Sequence, residues 1–199
     1  MTILLASQSP RRAELLRQIS VAFEIVSTQV DESVRPSEVA HVYVQRLAVE
    51  KSLAGCDAAD GRPAAVVLGA DTVVVVDGQI LGKPIDRAHG LAQLALLSGR
   101  AHEVMTAVAL HGRDNGANVS YGVRLCRSRV WFRALSLEQI EAYWATGECA
   151  DKAGSYAIQG IAAQFVARLE GSYSGVMGLP LFETTQLLQG AGRTSTIVS

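Results

Sequence analysis

Five charged residues in this sequence stand where local physics disfavours them, and a sixth, in a loop, could join them. In "SQSPRR" the apolar run "ILLA" gives way to a helix start, with Ser9 as N-cap and Pro10 at the first helical position. Arg11 and Arg12 then fall in the first turn, beside the positive end of the helix dipole. A helix N-terminus with two forked guanidinium groups suits a phosphate; the alternative is two solvated arginines, or a pair with Glu14. Asp71 is the sole charge between Ala64 and Val76. A buried carboxylate there needs a cation, a metal or a hydrogen-bond network, unless it lies in a surface bulge beside Gly69. Lys83 joins it if Asp77-Gly78 is a two-residue turn, because that register sets Lys83 opposite Thr72; the alternative is an ordinary structural Asp–Lys pair. Lys51 lies on the apolar stripe of its helix, either snorkelling to water or pointing into a cleft. Glu32, in "VDES", is the weakest signal, since acidic loop residues are usually solvated. Together, Arg11, Arg12, Lys51 and Lys83 could neutralise a polyphosphate. Glu32 and Asp71 could hold Mg²⁺ through oxygen, and either could take a proton from water. That chemistry is metal-assisted hydrolysis at phosphorus.

The elements that must position these groups alternate between helix and strand, which predicts an α/β or α+β layer structure. After the first strand and helix, "AFEIVST" reads as a strand and 36–54 as a helix with Val39, Val42, Tyr43 and Leu47 on one stripe. "AAVVLGADTVVVVDGQILGKP" reads as a hairpin around Asp77-Gly78. Asp86 caps the next helix, and Gly99 closes it. Strands follow at 102–110 and 123–135, then a helix opened by a capping box from Ser136 to Gln139. A last helix spans 181–188, and 190–199 read as a frayed tail.

Composition narrows the function classes. With 49% hydrophobic residues, 19% charged residues and a net charge of −1, nothing favours nonspecific binding to nucleic acid or a membrane surface. No apolar run approaches the ~20 residues of a membrane helix, and the four apolar residues before Ser7 do not make a signal peptide. Cys56, Cys126 and Cys149 lack metal-site spacing and read as buried hydrophobes, so a reducing cytoplasm is expected. The four histidines show no paired ligand spacing, and no GxxxxGK[ST] loop is present.

Six segments in order, "SQSPRRAELL", "VDES", "EKSLA", "GADTVVVVDGQILGKP", "DKAGSYAIQG" and "GSYSGVMGLP", resemble the successive motifs of the Maf nucleotide pyrophosphatases. The resemblance runs from Ile3 to Leu188. It implies a fold similar to inosine triphosphate pyrophosphatases: one domain over 1–199, with an elongated, mixed, twisted sheet flanked by helices and a central cleft between two lobes. It also implies cleavage of a nucleoside triphosphate between the α and β phosphates, with Mg²⁺ or Mn²⁺ as cofactor. Asp71 would be the proton acceptor, acting with Glu32 and Lys83, and Glu32 and Asp71 would meet the metal. Ser7, Arg11, Arg12 and Lys51 would handle substrate. The "DKAGSYAIQG" version resembles the branch acting on dTTP and UTP, with Arg12, Thr72 and Gln159 at the specificity positions. The Gln159 amide offers a donor and an acceptor that complement the O4 and N3–H edge of thymine and uracil; the alternative is a glutamine that braces its loop. Other implied readings are a 7-methyl-GTP pyrophosphatase of the same family, or a nucleotide-binding regulator of septum formation. A homodimer is implied as well. Gln8 and Gly82 depart from the pattern, and Gly82 would loosen the hairpin beside Lys83.

Overall fold

β-Branched side chains favour extended backbone, and the valine-rich run at 66–76 forms the central strand of the computed structural model. The structure describes residues 3–59, 65–114 and 116–192. In chain order the elements are β1 (Ile3–Ala6), α1 (Pro10–Gln18), β2 (Phe23–Ile25), α2 (Ala40–Ala58), β3 (Val66–Val76), β4 (Gln79–Leu81), α3 (Arg87–Leu97), β5 (Ala101–Asp114), β6 (Ala117–Phe132), α4 (Leu137–Ala145), β7 (Val166–Glu170), α5 (Tyr173–Met177) and α6 (Leu181–Gly190). The strands form one mixed sheet in the order β2-β1-β3-β5-β6-β7, and β4 pairs with β3. β1 runs parallel to β2 and β3, and every other pairing is antiparallel. This is the mixed α/β fold the sequence predicts.

Helix α2 covers one face of the sheet centre, where Tyr43, Val44, Leu47 and Ala48 pack on Val73, Val75, Ala107 and Ala109. The opposite face carries two separate cores. One lies under α1 and α6, with Leu16, Leu68, Val108 and Leu187. The other gathers Val74, Leu94, Leu97, Phe132 and Ile140 beneath α3 and α4. Fully buried leucines such as Leu16 and Leu94 each contribute about 2 kcal/mol, so each lobe has a core of its own.

Between the lobes the sheet has a gap. β1 follows β3 as far as Ala6 beside Gly69 and then turns away into α1. β4 returns along the same edge from Gln79 beside Val76 to Leu81 beside Val74, and also leaves. Residues 70–73 of β3 therefore pair with β5 alone, and their other edge is open.

Several local expectations hold for stated reasons. Asp77 and Gly78 both have positive φ (50° and 76°), the conformation of a two-residue hairpin turn. Asp86 accepts from the His89 N–H, and the Ser136–Gln139 capping box is complete. Cys56, Cys126 and Cys149 are buried and free. Others change. The hairpin keeps its register but stops at Leu81, so Lys83 is not opposite Thr72, whose partner is Thr106. The Gly82 carbonyl is taken by the Gly154 N–H (3.2 Å) and Gln93 Nε2 (3.1 Å), which pins the departing chain rather than loosening it. Ser9 holds the N-cap position of α1 without a side-chain cap bond. Helix α2 starts at Ala40, and Val39 and Val42 are exposed; its buried stripe begins at Tyr43. The second strand is shorter than predicted, while β5 and β6 are longer. Of the predicted tail, Gly190 still belongs to α6, and 193–199 lie outside the described residues. Among the described residues, no helix is long and apolar enough to cross a membrane.

Candidate active site

The open edge of β3 forms the floor of a cleft of about 600 Å³. Ser7, Arg11 and Arg12 line it from the β1–α1 junction, Glu32 from the loop before α2, and Lys51 from α2 itself. Asp71 and Thr72 come from β3, Lys83 from the segment after β4, and Gln159 from the opposite lobe. Since successive residues of a strand point to opposite faces, Asp71 and Thr72 reach the cleft together only because this edge is uncovered.

Asp71 points to the α2 side, and Gly69 sets how close α2 comes. A Cβ at position 69 would stand 2.3 Å from the Ala48 carbonyl oxygen and 2.6 Å from the Ser52 nitrogen. Without one, helix and strand backbones touch, and Lys51 is carried over Asp71. Its Nζ lies 2.7 Å from Asp71 Oδ1 and 2.6 Å from Glu32 Oε1. The two carboxylates share one ammonium yet shift in opposite directions. Burial raises Asp71 above the usual carboxylate range, against the pull of Lys51 and Arg12. Glu32 falls below that range: its partial burial acts upward, but the hydrogen bond and charge of Lys51, with Lys83 and Arg12, overcome it. Exposure decides the difference, with the Asp71 side chain 11% exposed and that of Glu32 48%.

Two residues the sequence reading did not assign to the site hold the Glu32 loop on α2. Tyr43 Oη donates to the Glu32 carbonyl at 2.8 Å. Burial, with Asp71 and Glu32 nearby, pushes the Tyr43 phenol up to about 12, so it remains a neutral donor. Arg46, one turn on, bonds the Ser33 carbonyl (3.0 Å) and both oxygens of Glu38 (2.6 and 2.7 Å). Arg46 and Glu50 at i,i+4 spacing were a visible clue. Nothing in the residue type of Tyr43 reveals the partner of its hydroxyl.

Arg12 faces the other side of the gap and is largely committed to the protein. Nε donates to the Gly178 carbonyl (2.8 Å), Nη1 to Ser7 Oγ (3.0 Å) and Nη2 to Thr72 Oγ1 (3.3 Å). Thr106 Oγ1 donates to the Gly175 carbonyl at 2.7 Å, so Thr72, 2.9 Å away, must donate to Thr106. The resulting chain, Arg12 to Thr72 to Thr106 to Gly175, ties both lobes across the cleft. Thr106 was missed, although it is a polar residue in the apolar run "MTAVAL". Burial lowers the affinity of the Arg12 guanidinium for its proton, and Asp71 opposes this. An arginine has five N–H donors, so two on Arg12 stay available. Arg11 and Lys83 make no hydrogen bond or ion pair among the described residues, and neither does the Gln159 amide.

Carboxylate oxygens suit a hard divalent ion, and Glu32 and Asp71 each place one oxygen on the same ammonium. Among the described residues, no group of three or more His, Cys, Asp or Glu could hold a metal. The pair therefore fits such an ion as part of a shell that substrate oxygens would complete.

A basic cleft floored by a buried carboxylate defines a class of phosphate-handling protein. The Maf-like protein family matches residues 2–191, and the chain belongs to that family. Curated relatives include the dTTP/UTP pyrophosphatase of Hahella chejuensis, 52% identical over 190 residues, covering 96% of this chain and 92% of the relative. The dTTP/UTP pyrophosphatase of Methylobacillus flagellatus is 53% identical over 193 residues, with coverage of 96% and 92%. A solved nucleoside-triphosphatase/dITP/XTP pyrophosphatase from Mycobacterium abscessus aligns more loosely, at TM-score 0.39 and 24% identity over 66% of this chain and 74% of that one.

Proposed function

We propose that the protein hydrolyses dTTP and UTP between the α and β phosphates, releasing the nucleoside monophosphate and pyrophosphate and so clearing such nucleotides, including modified pyrimidines, from the pool. One observation carries the reading: a buried, proton-hungry Asp71 faces a cleft that also holds two cations, Arg11 and Lys83, without a hydrogen-bond or ion-pair partner among the described residues. Lys51 occupies Asp71 Oδ1, and Oδ2 has no hydrogen-bond partner among the described residues. Oδ2 is thus the atom that accepts the proton of the attacking water. Arg11 and Lys83 meet the triphosphate and stabilise the negative charge that develops on the leaving pyrophosphate. Glu32 and Asp71 would hold Mg²⁺ or Mn²⁺ with phosphate oxygens, and the ion supplies Lewis-acid polarisation of the phosphoryl group.

At the base end, the Gln159 amide, without a hydrogen bond among the described residues, is suited to the O4 and N3–H edge of uracil and thymine. Arg12 and Thr72 are hydrogen-bonded to each other, so as specificity residues they act as one unit. Buried free thiols agree with a reducing cytoplasm. The homodimer belongs to the same reading, and light scattering tests it against a monomer of 21.1 kDa.

Asp71→Asn tests the mechanism, because the amide keeps the shape and an oxygen for Lys51. Turnover should fall at least about a hundredfold, while nucleotide binding stays within about tenfold, or ~1.4 kcal/mol. Unchanged turnover removes Asp71 as the base. Pyrophosphate release from dTTP, UTP, CTP, GTP and 7-methyl-GTP tests the substrates, and a preference for 7-methyl-GTP would overturn the assignment of the base.

A further inference from the structure

Lys51 reaches the cleft floor from the buried side of α2 and sets its ammonium between two carboxylates, 2.7 Å from Asp71 Oδ1 and 2.6 Å from Glu32 Oε1. Those oxygens are the hard donor pair that a small divalent ion would use. The ammonium stands in the place that ion would take. The two cations cannot share it, because like charges a few ångströms apart in a largely buried floor repel strongly. Lysine, on a flexible four-carbon stem, is the partner able to move.

Its destinations are restricted. The other carboxylate lining the cleft among the described residues is Asp151, and Lys152 already holds it. Arg11, Arg12 and Lys83 are cations. A displaced Lys51 therefore finds an anionic partner only when a ligand brings one.

From this geometry we infer that Lys51 is a built-in cation that occupies the metal position in the nucleotide-free protein and gives it up only when phosphate oxygens are present to receive the ammonium. The inference rests on the reading of Glu32 and Asp71 as the metal-binding pair and adds a binding order to it. The ion enters with the nucleotide rather than ahead of it. Until then, the ammonium keeps two neighbouring carboxylates from repelling each other and keeps free metal ions out.

Titration of the nucleotide-free chain with Mn²⁺, followed by the EPR signal of the free ion, tests this directly. Lys51→Met should bind Mn²⁺ at least tenfold more tightly than the wild type, about 1.4 kcal/mol. Lys51→Arg, which keeps a cation there, should not. Adding Glu32→Gln to Lys51→Met should abolish the gain. In the wild type, a dTTP analogue with a methylene bridge between the α and β phosphorus atoms should tighten Mn²⁺ binding at least tenfold beyond the ion's affinity for the analogue alone. This last measurement needs no variant to fold. A wild-type protein that binds Mn²⁺ equally well with and without the analogue overturns the inference. So does a folded Lys51→Met that gains no affinity; if Glu32→Gln still weakens Mn²⁺ binding in the analogue complex, the metal reading survives. If neither Glu32→Gln nor Asp71→Asn affects Mn²⁺ binding in that complex, the metal reading fails and the inference fails with it.

Discussion

His102 should make this protein lose stability in mild acid. The residue lies on β5 and is only 2% exposed. Its Nε2 is 2.9 Å from Tyr156 Oη, and its Nδ1 is buried without a partner among the described residues. The rings of Phe132 and Tyr156 meet it edge-on at 5.0 and 5.4 Å. A second N–H would have no acceptor there, and burial depresses the imidazole to about 4, against ~6.5 in an unfolded chain. The folded state thus favours neutral imidazole. Its contribution is complete above about pH 6.5 and is lost as pH falls toward the folded value. Linkage between those two values gives a loss of about 2 kcal/mol at pH 5 and about 3 kcal/mol at pH 4. That is a large share of the 5–15 kcal/mol typical of a domain, roughly speaking. Urea unfolding of the wild type and His102→Phe at pH 7 and pH 5 isolates the effect. Phenylalanine fits the aromatic cluster and leaves Tyr156 Oη unpaired, a cost of about 1–3 kcal/mol that does not depend on pH. The variant should start less stable and lose about 2 kcal/mol less between the two pH values. Equal losses in both proteins, or a His102 NMR titration centred near an ordinary histidine value, would refute the reasoning. Tyr156 also lines the cleft, three residues before Gln159.

Gly69→Ala forces a methyl group against the Ala48 carbonyl, 2.3 Å away, and should cost about 3 kcal/mol or more; a loss under about 1 kcal/mol in thermal unfolding would contradict the helix-on-strand packing. Tyr43→Phe removes the donor to the Glu32 carbonyl and should cost about 1 kcal/mol of stability. On the proposed role of Glu32 as a metal ligand, the same variant should also raise the Mg²⁺ concentration for half-maximal turnover, because part of the ordering of the Glu32 loop is then deferred to metal binding. An unchanged Mg²⁺ requirement would contradict either the support that Tyr43 gives the loop or the proposed metal role of Glu32.

Much of the cleft was legible because charge in an apolar setting is costly and therefore conspicuous. Asp71 in a valine strand and Lys51 on a buried stripe were each singled out by that rule, and the structure sets them 2.7 Å apart. The Asp77-Gly78 turn gave the hairpin register for a different local reason: few residues other than Gly, Asn and Asp accept positive φ twice in succession. The placement of Lys83 was not legible. The ladder stops where Gln93 and Gly154 capture the Gly82 carbonyl, and those contacts come from residues distant in sequence. Ser9 looked like a helix cap, yet it is Ser7 whose Oγ accepts, from the Ser9 N–H and from Arg12. Residue type announces that a hydroxyl can bond, and tertiary placement selects its partner.

The gap in the sheet explains why the disfavoured charges are tolerated together. A carboxylate on a central strand with both edges covered would be sealed between helices and sheet. At 70–73 one edge is uncovered for about 13 Å, four residues at ~3.3 Å each. The gap exists because β1 and β4 approach head-on along β3 and both turn away before meeting. The turn of β1 is also the start of α1, so the helix N-terminus and both arginines arrive at the same opening. The turn of β4 delivers Lys83 from the other side. The cations at a helix start, the acid in an apolar strand and the lysine after a broken hairpin are therefore three consequences of one topological feature. Extending either β1 or β4 by two residues would cover Asp71 or Thr72 and close the site without altering any of the charged groups.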